Sequence, residues 1–400
     1  MVAIVPVKRR RAQNLRRLFE AAKRDRRPDR FFADLQEGLT EKHIDVGRDH
    51  SIRYLFEEFV EDGHELVETF NPRNRGSVHI VEAADVSTAD FANITGQIVY
   101  SRVLDSFENP QFLWSRLVET IPTEFDGEKI PGIGEIGDQA ESIMEGENYP
   151  LAGVSEEWVT TPETTKRGLI VPVTKEAIFF DRTGLVLRRA GQVGHSLGLN
   201  KEKRILDVVL GITTTYRRNG GAAQATYGDS HSQGDFDNLV ASNALVDWTD
   251  IEAAILAFSA ITDPNTGEPI DVMPNMVIVP PALLMTARRI LNATQIQYGP
   301  GGSTTNATVA TSNSPVAGMF GPDSIASSQY VKNRTSSDTT WFIGEPQRAF
   351  GYMENWPITV IQAPDNSHDE FHRDIVAQYK SSERGAAAVL EPRRMIKCTG

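Results

Sequence analysis

The stretch TGLVLRRAGQVGHSLGLNKEKRILDVVLG, residues 183–211, constrains the fold more than any other part of the chain. Apolar residues recur in it at helical spacing: Val186, Ala190, Val193 and Leu197, then Ile205 and Val208. Asp181 or Thr183 can cap its start by accepting a backbone N–H bond. Gly211 stands where a helix stops. The spacing therefore predicts one long helix. Ala190, Gly194 and Gly198 are four apart and share a face, with Gly191 beside it. A glycine inside a helix costs about 1 kcal/mol relative to alanine, so a helix carrying several needs a reason. One reading is a face kept small so that another backbone can lie against it. The other is a loose or broken helix.

The preceding stretch, Phe125 to Phe180, is unusual in a different way. It opens Gly- and Pro-rich (FDGEKIPGIGEIGD), turns acidic at Glu141, Glu145 and Glu147, and ends strand-like in RGLIVPVTKEAIFF. Between Asp138 and Pro162 it has too few apolar residues to bury itself. Such a segment is either disordered or ordered by neighbouring chains. A long protruding hairpin followed at once by a long spine helix is a specific order of parts.

That order resembles the major capsid proteins of tailed bacteriophages. The stretches that carry the likeness are NITGQIVYSRVLDSF (93–107), FDGEKIPGIGEIGDQAE (125–141), TPETTKRGLIVPVTKEAIFFDRTGL (161–185), GLNKEKRILDVVLG (198–211) and DIVAQYKSSERGAAAVLEPRRM (374–395). The resemblance implies an α+β chain with the Hong Kong 97-type capsid fold: N-terminal arm, extended loop, spine helix, peripheral domain and axial domain. On that plan 1–92 is the basic segment and arm, and 93–124 leads into the peripheral domain. Residues 125–175 form the extended loop, 176–212 the spine helix, 213–364 the axial domain and 365–400 the last peripheral strands. Glu145, Tyr149, Trp158, Lys166 and Arg167 are the candidates for contacts across subunits, the alternative being ordinary loop residues. Val186, Ala190, Val193, Gly194, Leu197 and Gly198 are the candidates for packing of the spine helix. Some capsids of this fold crosslink a loop lysine to an asparagine of a neighbour. Lys166 and Lys175 flank the far limb of the loop here, but no matching asparagine motif is present.

The resemblance also sets the expected function. Copies would form pentamers and hexamers of an icosahedral shell around double-stranded DNA, assembled in the host cytoplasm and residing in the virion. Portal, scaffold or decoration proteins would be partners, with no cofactor and no metal. An encapsulin-like protein compartment shares the fold and is the nearest alternative. A soluble metal-dependent hydrolase using His368 and His372 is the alternative from another class.

Charge and composition agree with a soluble assembly protein. The chain has 400 residues, is 40% hydrophobic, and carries a formal net charge of −13. Residues 1–30 hold eleven Lys and Arg against three Asp and Glu, a net of +8, which leaves −21 on the remainder. Lys8, Arg9, Arg10, Arg11, Arg16 and Arg17 lead this basic segment, which faces either packaged nucleic acid and scaffold or an acidic protein surface. Contacts of this kind with phosphate carry no sequence specificity. The acidic body argues against wholesale coating by nucleic acid. One cysteine, Cys398, excludes an intrachain disulfide and a Cys-rich zinc site. The short apolar run of MVAIVPVKRRR precedes its charges, the reverse of a secretory signal. No run of about 20 apolar residues exists for a membrane span.

Elsewhere the chain reads as follows. Residues 31–90 mix short helical patterns with loops. Residues 90–122 form two helical pieces broken near Asn109-Pro110, anchored by Phe112, Trp114 and Leu117. Residues 213–235 are a polar, Gly-rich loop. Asp247 and Asp250 frame a capped helix in IEAAILAFSAI. MVIVPP is a buried strand followed by a helix with proline at its start. Residues 299–340 read as a long surface loop. TTWFIGEP and WPITVIQAP are strands. FHRDIVAQYK and AAAVLEPRRMIK read as two strands that turn at residues 382–385 and pair beneath the spine helix.

Two motifs suggest chemistry and carry little weight. Gly132-Ile-Gly134-Glu-Ile-Gly137 has dinucleotide-loop spacing, but Pro131 precedes it and Asp138, Glu141 and Glu145 would repel a phosphate. His368-Asp-Glu-Phe-His372 spaces two histidines by four but lacks the H-E-x-x-H order of a helical zinc site.

Overall fold

The computed structural model describes residues 98–99, 102–109, 111–124, 126–131, 143, 158–174, 185–229, 231, 236–263, 267–298, 310–321, 323–362 and 375–400. The chain divides into two compact units. The first comprises residues 1–110, 166–200 and 356–384; the second comprises 111–165, 201–355 and 385–400. The basic segment, residues 31–90, the helix cap at Asp181 or Thr183, the glycine motif and the histidine pair lie outside the described residues, apart from Pro131, which closes a strand.

In chain order the elements are α1 (Trp114–Leu117), β1 (Glu119–Pro122), β2 (Lys129–Pro131), β3 (Trp158–Thr160), β4 (Thr165–Thr174) and α2 (Leu185–Val209). Then come β5 (Leu239–Val240), α3 (Trp248–Ser259), β6 (Met276–Val279), α4 (Leu284–Leu291), β7 (Gln295–Tyr298) and β8 (Ala310–Asn313). The last are β9 (Ile325–Ser327), α5 (Gln329–Thr335), β10 (Trp341–Gly344), α6 (Pro346–Ala349), β11 (Phe350–Gln362), β12 (Ile375–Val389) and β13 (Met395–Cys398).

The second unit is built on a five-stranded sheet of order β5-β13-β10-β6-β9. β10 lies at its centre, antiparallel to β13 and β6. β9 adds in parallel to β6, and β5 in parallel to β13. Side chains alternate across a strand, and here both faces are covered. Val277, Val279, Trp341, Ile343 and Ile396 pack with Ile251, Ala254 and Phe258 of α3 and Ala287, Ile290 and Leu291 of α4. Ile278, Ala326, Phe342 and Met395 join Leu117, Tyr227 and Tyr352, with Ile205, Leu206 and Val209 of α2. That double burial is why MVIV and WFIG are unbroken apolar runs rather than alternating ones.

Local chemistry sets the helix ends. Asp247 accepts from the Thr249 N–H while Asp250 accepts from the Asp247 N–H, closing the box that starts α3. Gly211 adopts φ +66°, its N–H donating to Val208 O and that of Ile212 to Asp207 O. These two bonds satisfy the last carbonyls of α2, and the left-handed residue between them favours glycine.

Three expectations need correction. Residues 299–340 are not one surface loop: β8, β9 and α5 occur there, with Ala326 and Val331 buried. The absence of large apolar side chains hid strands whose neighbours supply the bulk. The second correction concerns residues 382–385, which make no turn. β12 runs unbroken from Ile375 to Val389, with Ser381, Ser382 and Glu383 buried. Gly385 is there for close approach, since a Cβ would lie 2.6 Å from the Tyr352 ring and hydroxyl and 2.8 Å from Met353 O. β13 pairs with β10 and not with β12. The third correction is at the small helix face, where the near neighbour of Gly194 is not a C-terminal strand. A Cβ there would meet the Val103 carbonyl oxygen at 2.2 Å, within the helical residues 102–107 of the same unit.

Candidate functional site

The described candidates form two groups, a pinned hairpin base and an exposed strand. β2 pairs antiparallel with β3, setting Lys129 opposite Thr160, Ile130 opposite Val159 and Pro131 opposite Trp158. This base is tied to the polar loop that follows α2. The Trp158 N–H donates to Asn219 Oδ1 at 3.1 Å, the Thr160 N–H to Arg217 O at 2.9 Å, and the Asn219 N–H back to Trp158 O at 2.9 Å. Lys129 Nζ stands 5.0 Å from the centre of the Trp158 ring. Below the base, Thr161 donates through both N–H and hydroxyl to Glu128 O, and Thr164 donates through both to Asp126 Oδ1. Residues 132–157 therefore leave and return at one fixed place. Glu145 and Tyr149 belong to that span and lie outside the described residues.

β4 ends its sheet, beside β12. Lys166 and Arg167 are exposed on it, and so are two apolar residues, Leu169 at 41% and Ile170 at 56%. Lys166 Nζ lies 5.3 Å from the Trp356 ring centre, and Arg384 Cζ lies 5.7 Å from the same ring. Gly168 allows the close pairing: a Cβ would come within 2.7 Å of Ser381 O. Lys175 falls outside the described residues.

Along α2, Ala190, Gly194, Leu197 and Gly198 are buried, Val193 is half-buried, and Arg188 and Arg189 are exposed. Val186 lies in the same helix. Gly191 is less confined than Gly194, with only Ser106 Oγ near its would-be Cβ, at 3.2 Å.

The residues that sequence reasoning missed are Lys201 and Glu202, in a run (NKEKR) that looks solvated. Lys201 is 1% exposed, with Nζ 4.1 Å from the ring centres of both Trp114 and Tyr352 and 3.5 Å from Glu354 Oε1. Glu202 is 2% exposed and accepts from the Leu113 N–H at 3.0 Å and the Trp114 N–H at 2.8 Å. It thereby serves the start of α1, whose own flanking residue, Leu113, offers no side-chain cap. Burial raises the Glu202 carboxyl above its ordinary value, and the two backbone N–H groups pull the other way. A signal was present: Lys201 stands four residues from both Leu197 and Ile205, on the apolar stripe itself.

Two further buried pairs lie near the C-terminus. Arg394 donates to Glu345 at 2.8 Å, and Arg393 makes a two-pronged contact with Glu391 at 2.6 Å. Among the described residues no group of three His, Cys, Asp or Glu could hold a metal ion. Among them, too, no helix is long and apolar enough to cross a membrane.

Comparison with known proteins places the chain in a family. Residues 157–398 match the phage capsid protein family, from the return strand of the hairpin through β13 and over more than half of the chain. No curated protein matches the sequence. Among solved structures, the capsid of a native GTA particle is similar at 9% identity, covering 72% of this chain and 89% of that one, with a TM-score of 0.43. A Gordonia phage Cozz structure is similar at 14% identity, covering 72% and 86%, with a TM-score of 0.42. The holo-SrpI encapsulin complex from Synechococcus elongatus PCC 7942 is similar at 13% identity, covering 72% and 87%, with a TM-score of 0.38. The family match, on a chain of mixed helix and sheet, agrees with the α+β capsid fold of Hong Kong 97 type expected from the order of parts. This chain belongs to the phage capsid protein family and is a structural protein of the virion, not an enzyme.

Proposed function

We propose that copies of this capsid protein assemble into pentamers and hexamers of a closed icosahedral shell enclosing double-stranded DNA. The observation that carries the proposal is the hairpin base. Between Pro131 and Trp158 stand 26 residues with seven carboxylates and no Lys or Arg. A span of that composition has little to gain by folding on itself. Its two ends are held together by β2 and β3. Laid over an adjacent copy, it would find cationic and apolar surface of the kind β4 presents with Lys166, Arg167, Leu169 and Ile170. Glu145, Tyr149 and Trp158 are then contact residues of the loop, and Lys166 and Arg167 contact residues of the receiving copy. Contacts of this kind around closed symmetry bury more than the roughly 1,600 Å² of a standard interface.

The basic segment, with Lys8, Arg9, Arg10, Arg11, Arg16 and Arg17, is proposed to meet packaged DNA without sequence preference, or a scaffold. Assembly would take place in the host cytoplasm, with portal and decoration proteins added to the shell. The test is to replace residues 132–157 by Asn-Gly, the two-residue turn that suits a tight hairpin. The shortened chain is expected to fold and to form no shells. Shells of normal size from that chain would overturn the proposal. Nucleic acid is the expected content of particles from infected cells; a cargo enzyme in its place would mark a protein compartment.

A further inference from the structure

Residues 182–201 hold no Asp or Glu, in a chain with 54 of them. Most of that span lies in α2. The exposed residues there are Arg188, Arg189, Gln192, His195 and Ser196. At 3.6 residues per turn they share one arc of about 120°, opposite the buried Ala190, Gly194 and Leu197. Acidic residues stabilise the start of a helix and arginines do not, yet α2 has no acid in its first turn and carries two arginines just beyond it. The neighbouring helical residues 102–107 expose Asp105. Among the described residues no ion pair holds Arg188 or Arg189.

The composition of this face distinguishes its partner. Protein contacts centre on aromatic and large apolar side chains, with charge at the rim. β4 has that mixture, with Leu169 and Ile170 exposed beside Lys166 and Arg167. The face of α2 does not: among the described residues no large apolar side chain of this helix is exposed. It offers positive charge together with the amide of Gln192 and the hydroxyl of Ser196. Arg, Gln and Ser side chains are the groups that hold phosphate oxygens in contacts without sequence preference. With no ion pair to break, both guanidinium groups are available to a polyanion.

We propose that the face of α2 formed by Arg188, Arg189, Gln192 and Ser196 binds the phosphate backbone of double-stranded DNA. The proposal rests on the enclosed-DNA reading above. To the N-terminal basic segment it adds a second contact, carried by a helix of the folded body. The test measures binding of the full chain to a short mixed-sequence duplex over a range of salt concentrations. Each phosphate contact contributes about 0.9 to the slope of log affinity against log salt. Arg188→Gln/Arg189→Gln is therefore expected to reduce that slope by about 2, equally on duplexes of unrelated sequence. Arg188→Lys/Arg189→Lys keeps the wild-type slope. Arg288→Gln/Arg289→Gln, which removes the same charge from an exposed pair on α4, keeps it too. An equal loss in the α4 variant would mean that net charge alone acts, and would overturn this inference alone. An unchanged slope in the Gln variant of α2 would do the same; loss of polyglutamate binding alongside it would assign the face to an acidic protein. A wild-type chain that binds the duplex with no salt dependence, or not at all, would overturn the enclosed-DNA reading and this inference with it.

Discussion

Glu202 shows how a residue that looks exposed in sequence becomes part of the interior. Its two oxygens take up the Leu113 and Trp114 N–H groups, and its neighbour Lys201 is held between Trp114 and Tyr352. Burial is the largest influence on its titration and raises it above the ordinary carboxylate value of 4.5. The sign follows from linkage: the folded chain binds this proton more tightly than the unfolded chain does. The stabilisation is fully present below the unfolded value and is lost as pH rises through the folded one. Glu202→Gln removes that dependence. The urea midpoint of the wild type should therefore fall relative to the variant as pH rises above the ordinary carboxylate value of 4.5. Parallel profiles would show that the carboxylate is better solvated than its burial indicates. The position of Lys201 is legible in the helical spacing of α2, four residues from Leu197 and from Ile205. Pairing of a buried charge depends on Trp114, Tyr352 and Glu354, which are distant in sequence.

At the scale of elements, local signals served well where the cause is local. The length of α2, its stop at Gly211, the Asp247 box of α3 and the apolar strands β6 and β10 follow from periodicity, capping and burial. Signals failed where the cause is tertiary. Gly385 in sequence suggests a turn, yet it serves the approach of Tyr352 to an unbroken β12. β9 and α5 lacked a pattern of their own and are ordered by pairing with β6 and by the burial of Val331. The small face of α2 gives a direct test. A Cβ at position 194 would meet the Val103 backbone, which cannot swing aside as a side chain would. Overpacking costs about 1–3 kcal/mol, against a gain of about 1 kcal/mol from helix propensity. Gly194→Ala should thus lower unfolding free energy by up to about 2 kcal/mol, measured by denaturant titration of the unassembled chain. Gly191→Ala, which meets only the movable Ser106 hydroxyl, should be neutral or stabilising. A Gly194→Ala chain as stable as Gly191→Ala would remove the close-packing account of this face.

For the whole molecule, the order of parts was the informative feature. A pinned hairpin, a long helix, a sheet buried on both faces and a long C-terminal strand agree with the match to the phage capsid protein family over residues 157–398. What sequence could not supply is what each exposed surface meets. The most direct test of this account is the mass and shape of the purified chain, by light scattering and negative-stain microscopy. The account predicts rings of five and six subunits or closed shells. A monomer or dimer that persists at high concentration, with and without a scaffold, would contradict it.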